Sequence, residues 1–400
     1  MQGLASGADP DHPLIGSRFI RVLEDELKHL HKSKPHGNRD LFYDQVVVAH
    51  LIAFFNPVLS GLRSIEDLFE QPQVRKRFGA PRIPKSTLSD AQKVFDPDLL
   101  LPLIDVLRGR LSNQPHDARL DTLSRQILAV DGTFFRVAPR IAWAVFNSFK
   151  KGSVRAHTQF DVVKAVPDSM LLTGGQASES KQLSAALRAG CLYIMDRGFE
   201  DYDLLADILA AQSDFVVRLR KTATAEPLEA RPLTPAARGA GVLCDNIVQI
   251  GWRQDRRPVT TPVRRVEFQF INRHGKCEHV RLLTNRLEIP AELVALLYQY
   301  RWQVELFFRW LKCMANFKHF FSESQSGMQM QIYVAMIGTL LMAVATGSRP
   351  SKYDYALIAS AASGLCDIQE ALAVAEKRRA ERTRAAKWQK AYNAAQKTAR

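Results

Sequence analysis

The segment CLYIMDRGFEDYDLLADILAAQSDFVVRLRK, residues 191–221, has the pattern of a strand, a helix and a second strand. It begins with the continuous apolar run CLYIM, and such runs are typical of strands buried on both faces in the central sheet of an α/β domain. The middle part, DYDLLADILAAQ, has helical periodicity, and DFVVRLRK (214–221) again has the composition of a strand. This stretch therefore predicts an α/β fold class.

Two of the predicted strands end in an aspartate. The segment RQILAVDGTFFRVAP (125–139) contains the apolar run ILAV followed by Asp131, and CLYIM is followed by Asp196. If the two strands are neighbours, these carboxylates lie side by side at one edge of the sheet. Each also has a purely structural interpretation: Asp131-Gly132 suits a β-hairpin turn, and the residues after Asp196 suit a turn into a helix capped by Asp201.

A third carboxylate stands in YQYRWQVELFFRWLK, residues 298–312. On a helix with about 100° per residue, Tyr298, Arg301, Glu305 and Lys312 fall within an arc of roughly 60°. Apolar side chains cover most of the remaining surface, which is the reverse of an ordinary surface helix. The pattern predicts a buried helix with one charged strip, although Glu305 could also simply pair with Arg301 or Arg309.

Three carboxylates that converge in a site of low dielectric constant repel one another unless cations are present. Hard oxygen ligands suit Mg²⁺ or Mn²⁺. Two such ions can activate a nucleophilic oxygen and stabilise a leaving oxygen during phosphoryl transfer. If Asp131, Asp196 and Glu305 converge, the sequence predicts a site for two Mg²⁺ or Mn²⁺ ions.

Composition narrows the class of protein. Of 400 residues 46% are hydrophobic, which predicts two or three packed domains, and 55 Lys and Arg against 41 Asp and Glu give a net charge of +14. This excess favours a polyanionic partner, nucleic acid before an anionic membrane surface. Five scattered cysteines without a C-x-x-C motif indicate neither a disulfide framework nor a structural zinc site.

No membrane segment is expected. The first residues lack the layout of a signal peptide, and the longest apolar run, IYVAMIGTLLMAVAT (332–346), is shorter than the ~20 residues that span a bilayer. It is better interpreted as a buried core helix. We therefore expect a soluble, cytoplasmic protein.

The flanking regions have their own patterns. Residues 14–112 are predicted to be helical, and the basic loop before Ser86 leads to a helix start that suits DNA phosphates or a solvated surface. Residues 222–287 are rich in Pro, Arg and Thr, with strand-like alternation that predicts a β-rich insertion. From Lys377 onward nine Lys or Arg predict a solvated helix or a DNA-contacting arm.

The spacing of Tyr298, Arg301, Glu305 and Lys312 is the Y-(2)-R-(3)-E-(6)-K pattern. In this respect the chain resembles the DDE transposases of bacterial insertion sequences, in the insertion-sequence-four family. AVDGT at Asp131 and YIMDRGFEDYDLL at Asp196 match in the same order, and the resemblance covers about residues 125–320. It implies an RNase H-like catalytic core interrupted by a β-rich insertion, with a helical N-terminal DNA-binding domain and a helical C-terminus.

With this resemblance five regions are expected. They are a helical DNA-binding domain (1–120), the first part of the core (121–221), the β-rich insertion (222–290), the second part of the core with the Glu305 helix (291–346), and a helical basic C-terminal region (347–400).

The resemblance also implies roles for individual residues. Asp131, Asp196 and Glu305 would be the catalytic, metal-binding triad, and Tyr298, Arg301 and Lys312 would contact DNA phosphates near the cut end. Further candidates for DNA contact are Arg197, Arg218, Arg220 and Trp252. Trp252 could stack on a flipped base or pack in a strand, and His157 is expected in the core.

The predicted function is that of a cut-and-paste transposase in a bacterial, nucleoid-associated setting. It would bind the terminal inverted repeats, cleave the transposon ends and join the 3′-OH ends to target DNA. A homodimer on paired ends is implied by the resemblance. Two alternatives stay open: an RNase H-like metal-dependent nuclease without strand transfer, and a catalytically silent transposase-derived DNA-binding protein.

Overall fold

The protein is described by a computed structural model. It describes residues 24–32, 41–56, 58–78, 82–138, 141–146, 151–220, 223, 225–250, 259, 261–271, 275–314, 319–362 and 365–398. The chain forms two compact units: Met1–Ser112 together with Trp310–Arg400, and Asn113–Arg309. The five-part division expected from the sequence stays a prediction.

The elements follow one another in a helical, then a mixed, then a helical order. The first helices are α1 Glu24–Lys32, α2 Tyr43–Phe55, α3 Leu62–Phe69, α4 Pro72–Phe78, α5 Lys85–Val94 and α6 Leu101–Gly109. The mixed region contains β1 Gln126–Val137, β2 Val145–Phe146, β3 Lys151–Asp161, β4 Val166–Gly174, α7 Glu179–Ala185, β5 Cys191–Met195, α8 Tyr202–Ala210, β6 Asp214–Arg218, β7 Glu226–Ala230, α9 Pro235–Gly239, β8 Val242–Gln249, β9 Val263–Ile271 and β10 Cys277–Thr284. The last helices are α10 Ala291–Tyr300, α11 Trp302–Met314, α12 Gln325–Thr346, α13 Lys352–Ala362 and α14 Ile368–Thr398.

The second unit is built on one ten-stranded sheet in the order β2-β3-β1-β5-β6-β10-β9-β8-β7, with β4 beside β3. Strands β1, β5 and β6 are parallel, whereas β3 and β4 run antiparallel to their neighbours. All five residues of β5 are buried, as its continuous apolar sequence predicts. The predicted α/β fold class is confirmed.

Four antiparallel strands occupy the segment expected to be a β-rich insertion. Strand β10 pairs with β6, so β7–β10 extend the same sheet. Two charged side chains are buried within them: Arg264 donates two hydrogen bonds of 2.7 Å to the carboxylate of Asp245. This bidentate geometry satisfies both charges where neither meets water.

The first unit has α12 as its core helix. It is apolar and long enough to cross a membrane, but 89% of its most apolar window is buried inside the protein. The interpretation of 332–346 as part of a buried helix is confirmed, and the helix begins earlier, at Gln325. Gln331 is accommodated there because its amide accepts from Phe321 N and donates to His319 O. Gly338 lies against the ring of Phe54, where a Cβ would approach to 2.5 Å.

The charged segment 298–312 is not one continuous helix. Helix α10 ends at Tyr300 and α11 begins at Trp302, while Arg301 keeps right-handed backbone angles (φ −52°, ψ −34°). The expectation of full burial apart from the charged strip is also wrong at one residue, because Trp302 is 38% exposed. Val304, Phe307 and Leu311 have the helical spacing of an apolar face and are buried.

Candidate active site

Asp131 and Asp196 lie on neighbouring parallel strands. The register of β1 and β5 pairs Val130 with Met195, and the two aspartates are the next residues of their chains. Parallel pairing therefore brings the carboxylates side by side at the end of β5. The hairpin interpretation of Asp131-Gly132 is wrong, since β1 continues to Val137 and stays paired with β3. Asp201 does cap α8, accepting from Asp203 N at 3.2 Å.

The signature residues are those of the Y-(2)-R-(3)-E-(6)-K pattern, and two of them, Tyr298 and Arg301, contact the three acids. Tyr298 donates its hydroxyl hydrogen to Oδ1 of Asp196 at 3.0 Å. Arg301 donates to Oε1 of Glu305 at 2.6 Å, and its other terminal nitrogen lies 3.7 Å from Oδ2 of Asp131. A single buried guanidinium thus contacts both Asp131 and Glu305, and the helix strip and the strand acids form one connected cluster.

Electrostatics distinguish the two aspartates. Burial raises the pKa of Asp131 to about 6. The Gly132 N–H and the charge of Arg301 oppose this increase, and the charges of Glu305 and Glu179 add to it. Burial alone would also raise the pKa of Asp196. At Asp196, however, four neighbouring groups outweigh burial, and the pKa is lowered. They are the Arg197 N–H, the charge of Arg301, the Tyr298 hydroxyl and the charge of Arg218.

The described residues contain no group of three acidic, histidine or cysteine side chains that converge on one point as metal ligands. The guanidinium of Arg301 contacts both Asp131 and Glu305 in this structure. The three carboxylates are nevertheless hard oxygen donors, faced by one guanidinium and one neutral hydroxyl. The donor chemistry suits a divalent cation.

A large cavity of about 480 Å³ adjoins the signature residues. Its walls combine cationic and aromatic side chains: Arg218, Tyr298, Arg301, Trp302, Phe268 and Phe270, with Ile271, Glu278, Val280 and Gln299. The rings of Phe268 and Phe270 lie nearly parallel, 5.9 Å apart. The alternation in RRVEFQFI predicts the strand that carries Phe268 and Phe270, but no pattern in the sequence predicts the cavity.

The remaining candidates for DNA contact lie in different places. Arg218 ends β6 and lines the large cavity, and Arg220 and Arg197 are exposed near the end of β5, where Arg220 Nε donates to Arg197 O at 3.4 Å. Lys312 stands in the last turn of α11, two turns after Glu305. Trp252 lies outside the described residues.

The opposite side of Asp131 holds residues that sequence reasoning missed. Glu179, at the start of α7, forms an ion pair of 3.1 Å with Arg155. The only sequence signal was a helix start after Gly-Gly, with Ser178 as N-cap. His157 donates to or accepts from Thr173 Oγ1 at 2.7 Å, and burial and the charge of Arg155 lower its pKa to about 4, which suits the predicted core histidine.

The arrangement is that of an α/β protein with an acid cluster at the edge of its parallel strands. Comparison with known proteins gives the family: residues 122–341 match the family described as "Transposase DDE domain". The chain belongs to this family. A DDE domain implies an RNase H-like core, and DDE transposases bind DNA and generally use divalent metal ions.

Individual relatives agree with the family. The chain is 26% identical over 218 residues to "Putative transposase y4zB" of Sinorhizobium fredii, covering 54% of this chain and 60% of that protein. It is 25% identical over 294 residues to "Probable transposase for insertion sequence element IS5377" of Geobacillus stearothermophilus, covering 73% and 74%. It is 20% identical over 268 residues to "Putative transposase for insertion sequence element IS4SA" of Synechocystis, covering 64% and 70%. The match with the Sinorhizobium protein thus spans less than two thirds of that protein's length.

Proposed function

We propose that the chain is a cut-and-paste transposase that binds terminal inverted repeats, cleaves the transposon ends and joins the 3′-OH ends to target DNA. The observation that carries the proposal is the connected cluster: Tyr298 contacts Asp196, and Arg301 contacts both Asp131 and Glu305. The spacing that suggested the family thus corresponds to physical contacts among the residues proposed to act together.

Asp131, Asp196 and Glu305 would hold Mg²⁺ or Mn²⁺, two ions in the mechanism we favour. When bound, these ions would activate the attacking oxygen and stabilise the leaving one. Arg301 would have to release at least one of its two carboxylate partners to make room, after which its charge could turn toward the DNA.

The other residues act on the DNA. The Nε atom of Arg301 is buried and has no hydrogen-bond partner among the described residues, which leaves one donor for a phosphate oxygen. Arg218 and Lys312 add positive charge. The ionised form of Asp196 is favoured by the Arg197 N–H, the charge of Arg301 and the Tyr298 hydroxyl. Water would attack the terminal phosphodiester, the bond to the 3′-oxygen would break, and the freed 3′-OH would attack a target phosphodiester in the same way.

The large cavity would receive a base from the transposon end. A nucleobase stacks on aromatic faces, and stacking contributes about 1–3 kcal/mol per base. Phe270 and Trp302 line the cavity next to the cationic Arg218 and Arg301, so a base and its phosphate could be held together. Phe270 and Trp302 would thus have the base-stacking role that was considered for Trp252 from the sequence.

The proposal also includes the oligomeric state and the cellular location of the protein. A homodimer would hold two transposon ends together, and the protein would act in the cytoplasm, on the bacterial nucleoid. The apolar helix α12 is buried core and gives no reason to propose a membrane.

The test uses a DNA duplex carrying the inverted repeats that flank this gene. Wild-type protein, Glu305→Gln and Glu288→Gln would be incubated with the duplex, a plasmid target and Mg²⁺. Glu288 is the matched control because it also pairs with an arginine, Arg286, but it is exposed. We expect end cleavage and joining with the wild type and Glu288→Gln, and neither with Glu305→Gln.

Other outcomes favour the alternatives. Cleavage without joining to the plasmid would support a nuclease. Binding of the repeats by all three proteins without any cleavage would support a silent DNA-binding protein.

A further inference from the structure

Helix α14 carries a basic segment that the proposed function does not use. From Lys377 onward the sequence has nine Lys or Arg and a single acid, Glu381, so the cations far outnumber the carboxylates that could pair with them inside the segment. The helix continues through this segment as far as Thr398. We call the part of α14 from Lys377 to Thr398 the basic arm.

The start of the basic arm is attached to the rest of the first unit. Ala375, one turn earlier in α14, is buried. The guanidinium of Arg379 donates to the backbone oxygen of Thr346, and the guanidinium of Arg382 lies 4.3 Å from the centre of the Tyr353 ring. These contacts fix where the arm leaves the unit.

Beyond Arg379 the described side chains of the arm are exposed on every side of the helix. They are those of residues 380–385, 387–389 and 391, and even the large indole of Trp388 is 66% exposed. A helix that is polar all round gains little stability from burial. Like charges three residues apart, such as Arg384 and Lys387, destabilise it further. A polyanion that neutralises these charges would therefore stabilise the arm.

The directions of the cations indicate which polyanion fits. At about 100° per residue, Arg378 and Lys387 lie on opposite sides of the helix, and Arg384 lies roughly 60° from Lys387. A helix with its side chains is about 10–12 Å wide, and the major groove of B-DNA, about 12 Å wide, runs between two phosphate backbones. Cations on both sides of one helix match that arrangement. An anionic membrane surface instead binds helices that have an apolar side opposite the charged one.

We propose that the basic arm binds double-stranded DNA through its phosphates, independently of sequence, as a DNA-contacting surface in addition to the signature residues. The inference rests on the proposed function for the identity of the polyanion as DNA. The alternative is a solvated helix that contacts no DNA.

The test measures binding of the full chain to a duplex without the inverted repeats, by fluorescence anisotropy at several salt concentrations and without divalent ions. Each lost phosphate contact reduces the slope of log association constant against log salt concentration by about 0.9. Replacing Arg378, Arg384 and Lys387 together by Gln should therefore reduce the slope by about two to three and weaken binding at 0.1 M salt about tenfold or more.

Gln is a good helix former, so the arm should stay helical in this variant, as checked by circular dichroism. If helix content falls, the single variants Arg384→Gln and Lys387→Gln decide, and each should reduce the slope by about one. Replacing the same three cations by the other basic residue, Arg378→Lys, Arg384→Lys and Lys387→Arg, keeps the charge and should keep the slope.

The matched control replaces Arg110, Lys181 and Arg238 together by Gln. These cations are also exposed, and the change in net charge is the same. We expect the wild-type slope. An equal reduction in the arm variant and the control would overturn the inference, because net charge alone would then determine binding. An unchanged slope in the arm variant would also overturn it and leave the arm a solvated helix.

This experiment is independent of the cleavage test, since it needs neither metal nor catalysis. A smaller slope in the arm variant alone supports the inference even if the wild type cuts no DNA and the proposed function fails. Conversely, normal cleavage by the wild type with an unchanged slope in the arm variant overturns only the role of the arm. Weaker binding of the arm variant to phosphatidylserine vesicles, with unchanged binding to DNA, would assign the arm to a membrane and overturn the inference.

Discussion

Tyr298 donates a hydrogen bond of 3.0 Å to the carboxylate of Asp196, 102 residues earlier in the chain. Burial raises the pKa of Tyr298, whereas the contacts of Asp196 lower the pKa of that carboxyl despite its burial. Both changes keep the donor protonated and the acceptor ionised. The pair is therefore suited to hold Asp196 as a carboxylate in one orientation.

Tyr298→Phe should slow cleavage of transposon-end DNA about tenfold or more, because a hydrogen bond to a charged group contributes about 1.5–3 kcal/mol. The phenyl ring keeps the packing, so repeat binding should change little. Cleavage rates under single-turnover conditions, with binding measured by mobility shift, check the prediction.

Tyr300→Phe is the matched control on the same helix, since its hydroxyl accepts a hydrogen bond of 3.2 Å from the backbone N–H of Asp117. Equal rates for the two variants would show that the bond to Asp196 has no role in the reaction.

Arg301→Met should make the unfolding temperature depend more strongly on Mg²⁺. Without the guanidinium, Asp131 and Glu305 lose the cation that now contacts both, and their repulsion destabilises the metal-free fold. A divalent ion that binds only the folded chain stabilises it by mass action. The increase in melting temperature on adding Mg²⁺ should therefore be larger than in the wild type.

Arg286→Met is the control for this experiment. Arg286 also contacts two carboxylates, those of Asp214 and Glu288, away from the proposed triad. The same Mg²⁺ response in wild type, Arg286→Met and Arg301→Met would contradict a competition between Arg301 and the metal.

The two strand acids could be predicted because their signals are local. A continuous apolar run marks a strand buried on both faces, and parallel pairing then brings Asp131 and Asp196 to one edge. The charged strip of Tyr298, Arg301 and Glu305 followed from helical periodicity alone. Its contacts with the aspartates depend on long-range packing, for which the family resemblance supplied the expectation.

Other features depend on tertiary contacts that no local pattern contains. The helix is interrupted at Arg301 although no neighbouring Pro or Gly predicts a break. Trp302 is exposed, although its apolar neighbours favoured a buried position. The position of Glu179 depends on α7 packing onto Gly132, which only the register of β1 and β3 reveals. Alternation in β9 predicted a strand but not which face lines a cavity.

Protonation of His50 should destabilise the first unit as the pH falls. Burial lowers the pKa of this histidine from its ordinary 6.5 in the folded chain, where its ring contacts Val46 O and the Gln92 amide. Between that lowered pKa and 6.5 the unfolded chain binds more protons, so stability falls as the pH decreases through this window. The slope contributed by one such group is at most about 1.4 kcal/mol per pH unit.

Urea unfolding at pH values from 7.5 to about 5, followed by circular dichroism, measures this dependence. His50→Gln should show a flatter profile below pH 6.5. His29→Gln is the control, because His29 is exposed on α1 of the same unit. An unchanged slope in His50→Gln would exclude His50 as the titrating group.

Phe270→Ala and Trp302→Ala should abolish the unstacking of a base at the transposon end, because both side chains line the aromatic cavity beside Tyr298 and Arg301. The fluorescent base 2-aminopurine, placed in turn at each terminal position, reports loss of stacking within the duplex. The Glu305→Gln background keeps the DNA uncut during the measurement. We expect a position-specific fluorescence change with the parent protein and little change with either variant.

Tyr353→Ala, at an exposed aromatic residue of α13, controls for a general loss of aromatic surface and should behave like the parent. A full fluorescence change in all four proteins would mean that the base leaves the stack without entering this cavity.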